Sequence, residues 1–174
     1  MKERVNELEK DVFQDALTGV GNRKLLELKI GTALHEYQRQ HISFGLLFLD
    51  VDRFKSINDT YGHHEGDRVL QAVASNLTEH LRNTDICGRW GGEEFVVLLQ
   101  NINNANSLTH IAEKLRAMIA SSAIFINNQK VSVTVSIGGT LVHQRDTLDS
   151  LIEHADGLMY QSKQAGRNRI TIED

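Results

Sequence analysis

Proline is absent from this 174-residue chain and cysteine occurs once. The missing proline carries no functional reading. The lone Cys87 excludes an internal disulfide and fits a reducing compartment. No apolar run reaches the length that spans a bilayer, and the first ten residues lack the apolar stretch of a secretory signal. A cytoplasmic chain without direct membrane insertion is therefore expected. Charge of neither sign dominates: a net charge of -4 gives no general pull toward nucleic acid or an anionic lipid surface. Internal repeats and low-complexity tracts are missing too. What remains, 40% apolar and 24% charged residues, suits one globular domain with a sizeable core.

Val5, Leu8 and Val12 fall at helical spacing among charged residues, which predicts an amphipathic helix too short to stand alone as a coiled coil. It reads either as a frayed terminal helix or as the end of a stalk from a sensory module. Gly, Asn and Asp over residues 15–23 break that pattern. The spacing of Leu25, Leu28, Ile30 and Leu34 predicts a helix over 24–40. An apolar run over 43–49 reads as a strand. Residues 54–67 follow as a short helix, a glycine-containing loop and the start of a longer helix with Val69, Leu70, Val73, Ala74 and Leu77 on one face. A helix over 107–120 turns Ile111, Ala112, Leu115 and Ile119 inward. Alternation of Val131, Val133, Val135 and Ile137 predicts one strand over 130–142. A last helix spans 147–165, and residues 169–172 can close the sheet. Strands alternating with helices predict an α/β or α+β sandwich.

Two acidic elements carry chemistry. Gly91-Gly92-Glu93-Glu94-Phe95 places adjacent carboxylates after a glycine pair and before the apolar run Phe95 to Leu99, at or beside the tip of a hairpin whose other strand is residues 85–90. Acidic residues beside Gly-Gly are also ordinary turn composition. The run over 43–49, however, ends on Asp50-Val51-Asp52. Unpaired charges at the end of a buried strand are costly, so a cation held by Asp50, Glu93 and a backbone carbonyl is the economical explanation, with oxygen ligands that suit Mg²⁺. Such groups on neighbouring strands form the core of a phosphoryl-transfer site.

Gly91-Gly92-Glu93-Glu94-Phe95, the segment Leu49-Asp50-Val51-Asp52-Arg53-Phe54-Lys55-Ser56-Ile57-Asn58-Asp59 and the opening Asp15-Ala16-Leu17-Thr18-Gly19 with Asn22-Arg23 together resemble the GGDEF family of diguanylate cyclases. The resemblance divides the chain into a linker or stalk, 1–14, and a domain, 15–174. It implies an α+β, palm-like nucleotide-cyclase fold: a central, mainly antiparallel five-stranded sheet surrounded by helices, with a GGEEF hairpin. It also implies condensation of two GTP into cyclic di-GMP with release of two pyrophosphates. One domain holds one GTP, so a homodimer is implied, with Mg²⁺ as cofactor and Mn²⁺ as a substitute. The family pattern has Asp where this chain has Glu93, a common alternative in active members.

On this resemblance, Asp50, the Val51 carbonyl and Glu93 hold the metal, and Glu93 or Glu94 takes the proton of the attacking hydroxyl. Asn58 and Asp67 read guanine, although Asn58 also suits a helix cap and Asp67 a plain surface charge. His63 lies in the loop between them. Backbone amides at Phe54 and Lys55 can cradle phosphate. Lys163 and Arg167, four residues apart, would share a helix face toward the β- and γ-phosphates if the last helix continues. Arg82 and Asp85 match the family's RxxD product-inhibition site, with Arg116 a candidate further arginine. The same residues leave open a catalytically silent module that binds GTP or senses cyclic di-GMP, and a cyclase making a different cyclic nucleotide. An N-terminal sensory domain outside the chain is a further implied partner, in a larger and membrane-tethered protein if the stalk reading holds.

Overall fold

Phe44–Val51, eight consecutive buried residues, form the central strand β1, and the surrounding elements keep both its faces from water. The computed structural model describes residues 12–174. In chain order the elements are α1 (Arg23–Gln40), β1, α2 (Phe54–Tyr61), α3 (His63–His80), β2 (Ile86–Gly91), β3 (Glu94–Gln100), α4 (Ala105–Ser121), β4 (Ile124–Ile126), β5 (Gln129–Val131), β6 (Val135–Leu141), α5 (Leu148–Gln164) and β7 (Ile170–Glu173). Five strands form one sheet in the order β2-β3-β1-β6-β7. Its ladders are antiparallel except β6 with β7, which is the mainly antiparallel palm-like arrangement expected above. The expected N-terminal helix, apart from Val12, lies outside the described residues.

Alternation along β1 sorts the core into two layers. Phe44, Leu46 and Phe48, with Val96 and Leu98 of β3, meet Leu26 and Ile30 of α1 and Ala155 and Met159 of α5. Leu47, Leu49 and Val51, with Phe95, Val97 and Leu99, meet Val69, Val73 and Leu77 of α3 and Leu108 and Leu115 of α4. The β1–β3 register pairs Asp50 with Glu94. Both carboxylates therefore leave the sheet on the α1/α5 side, one step beyond its apolar stretch. Side-chain caps fix where helices start: Asn22 Oδ1 accepts from the Leu25 amide at 3.0 Å, and Thr147 and Ser150 form a reciprocal capping box at α5.

Two details depart from expectation. In α1 the buried stripe is Leu26, Ile30, Ala33 and Leu34, while Leu28 is half exposed, because α1 turns the other edge of its leucine cluster to the sheet. The single strand expected over 130–142 is two. Asn127 and Asn128 both take positive φ, 50° and 62°, which is the backbone of a two-residue hairpin turn. β5 therefore pairs back on β4 in a separate ribbon. The apolar alternation runs on through Val133 although the pairing changes.

Helix α5 lies so close on β6 that a Cβ at Gly138 would sit 2.1 Å from the Met159 amide nitrogen and 2.2 Å from the Ala155 carbonyl oxygen. Gly138→Ala is expected to cost about 2–3 kcal/mol by urea denaturation, since backbone cannot move aside cheaply. Gly157→Ala in α5, where an added Cβ meets nothing within 4 Å, is expected to stabilise by about 0.5–1 kcal/mol through helix propensity.

Candidate active site

The turn between β2 and β3 sits against the end of β1. The Val51 amide donates to the Glu93 carbonyl at 3.2 Å, and Gly92 supplies the positive φ of 43° that the turn requires. Pairing slips between Arg89 and Gly91, leaving Trp90 in a bulge. Glu93 thus rides on the turn beside the Asp50–Glu94 pair.

Asp50 is only 5% exposed, and Lys163 Nζ from α5 lies 2.6 Å from its Oδ1. Among the described residues the ammonium is the one cation in contact with this carboxylate, and it leaves the oxygen without an angularly ideal donor. Burial pushes the Asp50 carboxyl up to about 6; Lys163 opposes the rise, and Glu93 and Asp52 add to it. Glu94 is raised as well, by burial first and then by Asp50, Asp156 and Glu93. One ammonium therefore faces a cluster of carboxylates. Asp52 belongs to that cluster by position only. Its oxygens accept from Thr134 Oγ1 at 2.7 Å, Ser136 Oγ at 2.6 Å and the Asn168 amide at 3.0 Å, which makes it a structural brace.

Asp156 is a member that sequence reasoning missed. Partial desolvation raises its pKa against the pull of Lys163. The available signal was its place two helical turns before Lys163, on the same face of α5.

Asn58 lies inside α2, not at its start, so it is no cap; its carbonyl accepts from the Gly62 amide at 2.8 Å. Its side-chain Oδ1 is buried without a partner, and a Cβ on Gly66 would come within 1.8 Å of it. Asp67 follows Gly66 in α3 and is exposed, as are His63 and His64. Phe54 packs against the α3/α4 layer while Lys55 is exposed. Arg53, before them, offers α2 no side-chain cap. Helix α5 stops at Gln164, so Lys163 and Arg167 do not share a helical face. The chain turns through Gly166, Arg167 and Asn168, all at positive φ, and leaves Arg167 exposed.

Arg82 grips Asp85 with Nε at 3.1 Å and Nη2 at 3.0 Å, and Nη2 also donates to the Gln100 carbonyl at 2.7 Å. The Asp85 side chain is 2% exposed and Arg82 54%. Arg116 does not join them. It pairs with Glu113 and donates to Asn168 Oδ1. Lys114 instead lines, with His80, His110, Arg82 and Asp85, a cavity of about 250 Å³. Among the described residues no three His, Cys, Asp or Glu side chains converge on one metal-sized point. No described helix is long and apolar enough to cross a membrane.

Fold and site together define a palm-like α+β domain with an acidic strand end beside an acidic hairpin turn. The chain belongs to the family "Diguanylate cyclase, GGDEF domain", which matches residues 12–169. Diguanylate cyclase A of Treponema denticola is 41% identical over 75% of this chain and 35% of its own length. The structure of the coiled coil and GGDEF domain of DgcB from Caulobacter crescentus, in complex with c-di-GMP, superposes with a TM-score of 0.92 at 29% identity, covering 99% of this chain and 91% of that one. The active GGEEF domain of a diguanylate cyclase from Vibrio cholerae gives 0.80 at 30% identity, over 88% and 97% of the two chains. The chain spans half or less of the length of the first curated relatives it matches, from 28% to 50%.

Because Asp50 and Glu94 bind protons more tightly folded than unfolded, the metal-free protein is expected to lose stability as pH rises through about 6, and to be most favoured by these groups below the ordinary carboxylate range. Thermal unfolding in chelator from pH 5 to 7.5 measures the slope. Asp50→Asn is expected to flatten it.

Proposed function

We propose that residues 15–174 are the GTP-condensing output domain of a longer protein. Two copies, each holding one GTP, form cyclic di-GMP and release two pyrophosphates, each 3′-hydroxyl attacking the α-phosphorus of the opposite nucleotide. The observation that supports this best is the buried Asp50 carboxylate, paired across the strand with Glu94, beside the Glu93 turn and balanced by one ammonium. Asp50, buried with only the Lys163 ammonium among the described residues against its Oδ1, and Glu93 next to it fit a hard cation that the Val51 carbonyl and substrate oxygens would complete: Mg²⁺, with Mn²⁺ as a substitute. A cation held by these residues would supply polarisation of the phosphate and a lowered pKa for the attacking hydroxyl.

The remaining roles belong to the chain's own groups. Glu94, raised toward the protonated form, stands as the supporting carboxylate beside Glu93. Asn58 Oδ1, buried and unpartnered, faces the start of α3, where Asp67 supplies the second guanine acceptor and His63 lines the approach. The uncapped start of α2 at Phe54 and Lys55 receives phosphate on its amides. Lys163 exchanges Asp50 for the β- and γ-phosphates, joined from the loop by Arg167. Face-to-face pairing of two sites supplies much of the rate through orientation. Residues 1–14 lead to a sensory domain, on the cytoplasmic side.

Incubation with GTP and Mg²⁺ is expected to yield cyclic di-GMP by chromatography, at a rate rising faster than linearly with protein concentration. Chelator, Glu93→Ala or Asp50→Asn is expected to lower turnover by about 10²–10³ or more. Retained turnover in either variant overturns the mechanism, and ATP turnover comparable with GTP overturns the guanine assignment. Product is proposed to inhibit at Arg82 and Asp85, with Lys114 as the further cation. Calorimetry with cyclic di-GMP is expected to show about tenfold weaker binding for Arg82→Ala and for Lys114→Ala, and little change for Arg116→Ala. Unchanged affinity in Arg82→Ala removes the site.

A further inference from the structure

Residues 14–22 do not hang free ahead of α1. They touch the outer edge of β2 at Gly21, whose amide donates to the Cys87 carbonyl at 3.1 Å and whose carbonyl accepts from the Arg89 amide at 2.8 Å. Gln14 pairs back on Gly21, so the segment doubles over into a tight turn. Asp15 closes that turn. Its Oδ2 accepts from the Thr18 amide at 2.9 Å and the Thr18 hydroxyl at 2.6 Å, while its own amide donates to the Val20 carbonyl at 2.8 Å.

Arg89 reaches from β2 in two directions at once. Nη1 lies 3.3 Å from Asp15 Oδ1 and 3.4 Å from Oδ2, and Nε donates to the Gly92 carbonyl at 2.7 Å. Both partners of the ion pair are about four-fifths covered, with side-chain exposures of 19% and 20%, so the pair is less screened than an open surface bridge. The acceptor is the peptide immediately before Glu93, inside the turn. Neither Gly91 nor Gly92 has a side chain with which to fix that peptide, and an added Cβ at either would meet nothing within 4 Å. The Arg89 fork is thus a side-chain tether on the most pliable part of the hairpin.

We propose that Arg89 is a positioning residue for Glu93: anchored on Asp15 of the N-terminal turn, it holds the Gly92 carbonyl and thereby sets where the Glu93 carboxylate stands beside Asp50. The backbone bonds of Gly21 join the segment to the middle of β2, and the guanidinium carries any displacement of it on to the turn itself. Burial raises the Asp15 carboxyl, but Thr18 and the Arg89 charge outweigh it and hold the group below the usual carboxylate range, so the anchor stays charged near neutral pH. The role needs arginine and not merely a cation. A lysine ammonium can reach Asp15 or the Gly92 carbonyl, yet lacks the planar fork that spans both.

The inference rests on reading Glu93 as a working carboxylate of the GTP-condensing site, and its test carries two nucleotide-free measurements. Trp90, the only tryptophan of the chain, follows Arg89 directly and packs edge-on against Phe48 at 6.4 Å. Its emission and anisotropy report the hairpin end. In the full chain, Arg89→Lys and Asp15→Asn are each expected to change Trp90 anisotropy and to weaken Mn²⁺ binding by about tenfold. Each is also expected to lower kcat about tenfold with KM for GTP within about twofold. The double variant is expected to be no worse than the poorer single one, because both act through one link. Wild-type anisotropy and Mn²⁺ affinity in Arg89→Lys overturn the proposal. So do additive losses, or losses that merely follow a collapsed unfolding midpoint in both variants. If the unaltered chain makes no cyclic di-GMP, the functional reading fails while the Trp90 and Mn²⁺ measurements still decide the role of Arg89.

Discussion

A carboxylate buried at the end of the central strand is the constraint on which the site depends. Asp50 lies where β1 has just run through a fully apolar layer, and removing a carboxylate from water costs several kcal/mol unless a charge or donors compensate. Lys163 compensates in part, at 2.6 Å, while Glu93, Glu94 and Asp156 add like charge around it. The result is an anionic pocket with too little positive charge, kept in place by a rigid sheet. Such an arrangement is electrostatically unfavourable, and it is what makes the proposed divalent cation a fitting complement to these carboxylates.

Helix α5 ties the pocket to the rest of the molecule. It docks on β6 at backbone contact through Gly138, which fixes the height of Lys163 above Asp50. The loop that follows returns to the same strand end, where the Asn168 amide donates to Asp52 and its side chain accepts from Arg116 of α4. Asp52, Thr134 and Ser136 therefore brace the strand end from below while Lys163 balances it from above. Asp50, in the strand, and Asp52, just past its end, differ in that Asp52 is held by three hydrogen-bond donors while Asp50 faces the Lys163 ammonium.

Much of this was legible in the sequence, for identifiable reasons. Apolar runs ending in Asp50 and beginning after Glu94 mark strand ends, helical spacing located α1, α3 and α4, and the glycine pair marked the hairpin. Partners across the fold were not legible. Lys163 sits on Asp50 through the packing of α5 on β6, which no local spacing encodes. Lys114 and not Arg116 shares the cavity with Arg82, because two residues along a helix differ by about 200° in direction. The β4–β5 ribbon was hidden because Asn127-Asn128 reads as loop composition, whereas paired positive φ makes it a hairpin. The end of α5 at Gln164 depended on Gly166 taking positive φ and the carbonyl of Ser162 capturing the Arg167 amide.

The bridge from Gly21 to β2 has a consequence for the edges of the sheet. A bare outer strand offers unpaired amides and carbonyls to any neighbour, and β2 would be such a strand without the Gly21 bridges. With them, the Cys87 carbonyl and the Arg89 amide on the rim next to the acidic turn are already taken. The opposite rim is β7, four residues long and backed by a parallel neighbour, a poor template for continuing a sheet. Both edges of the sheet thus offer little free backbone from which a longer sheet could be continued.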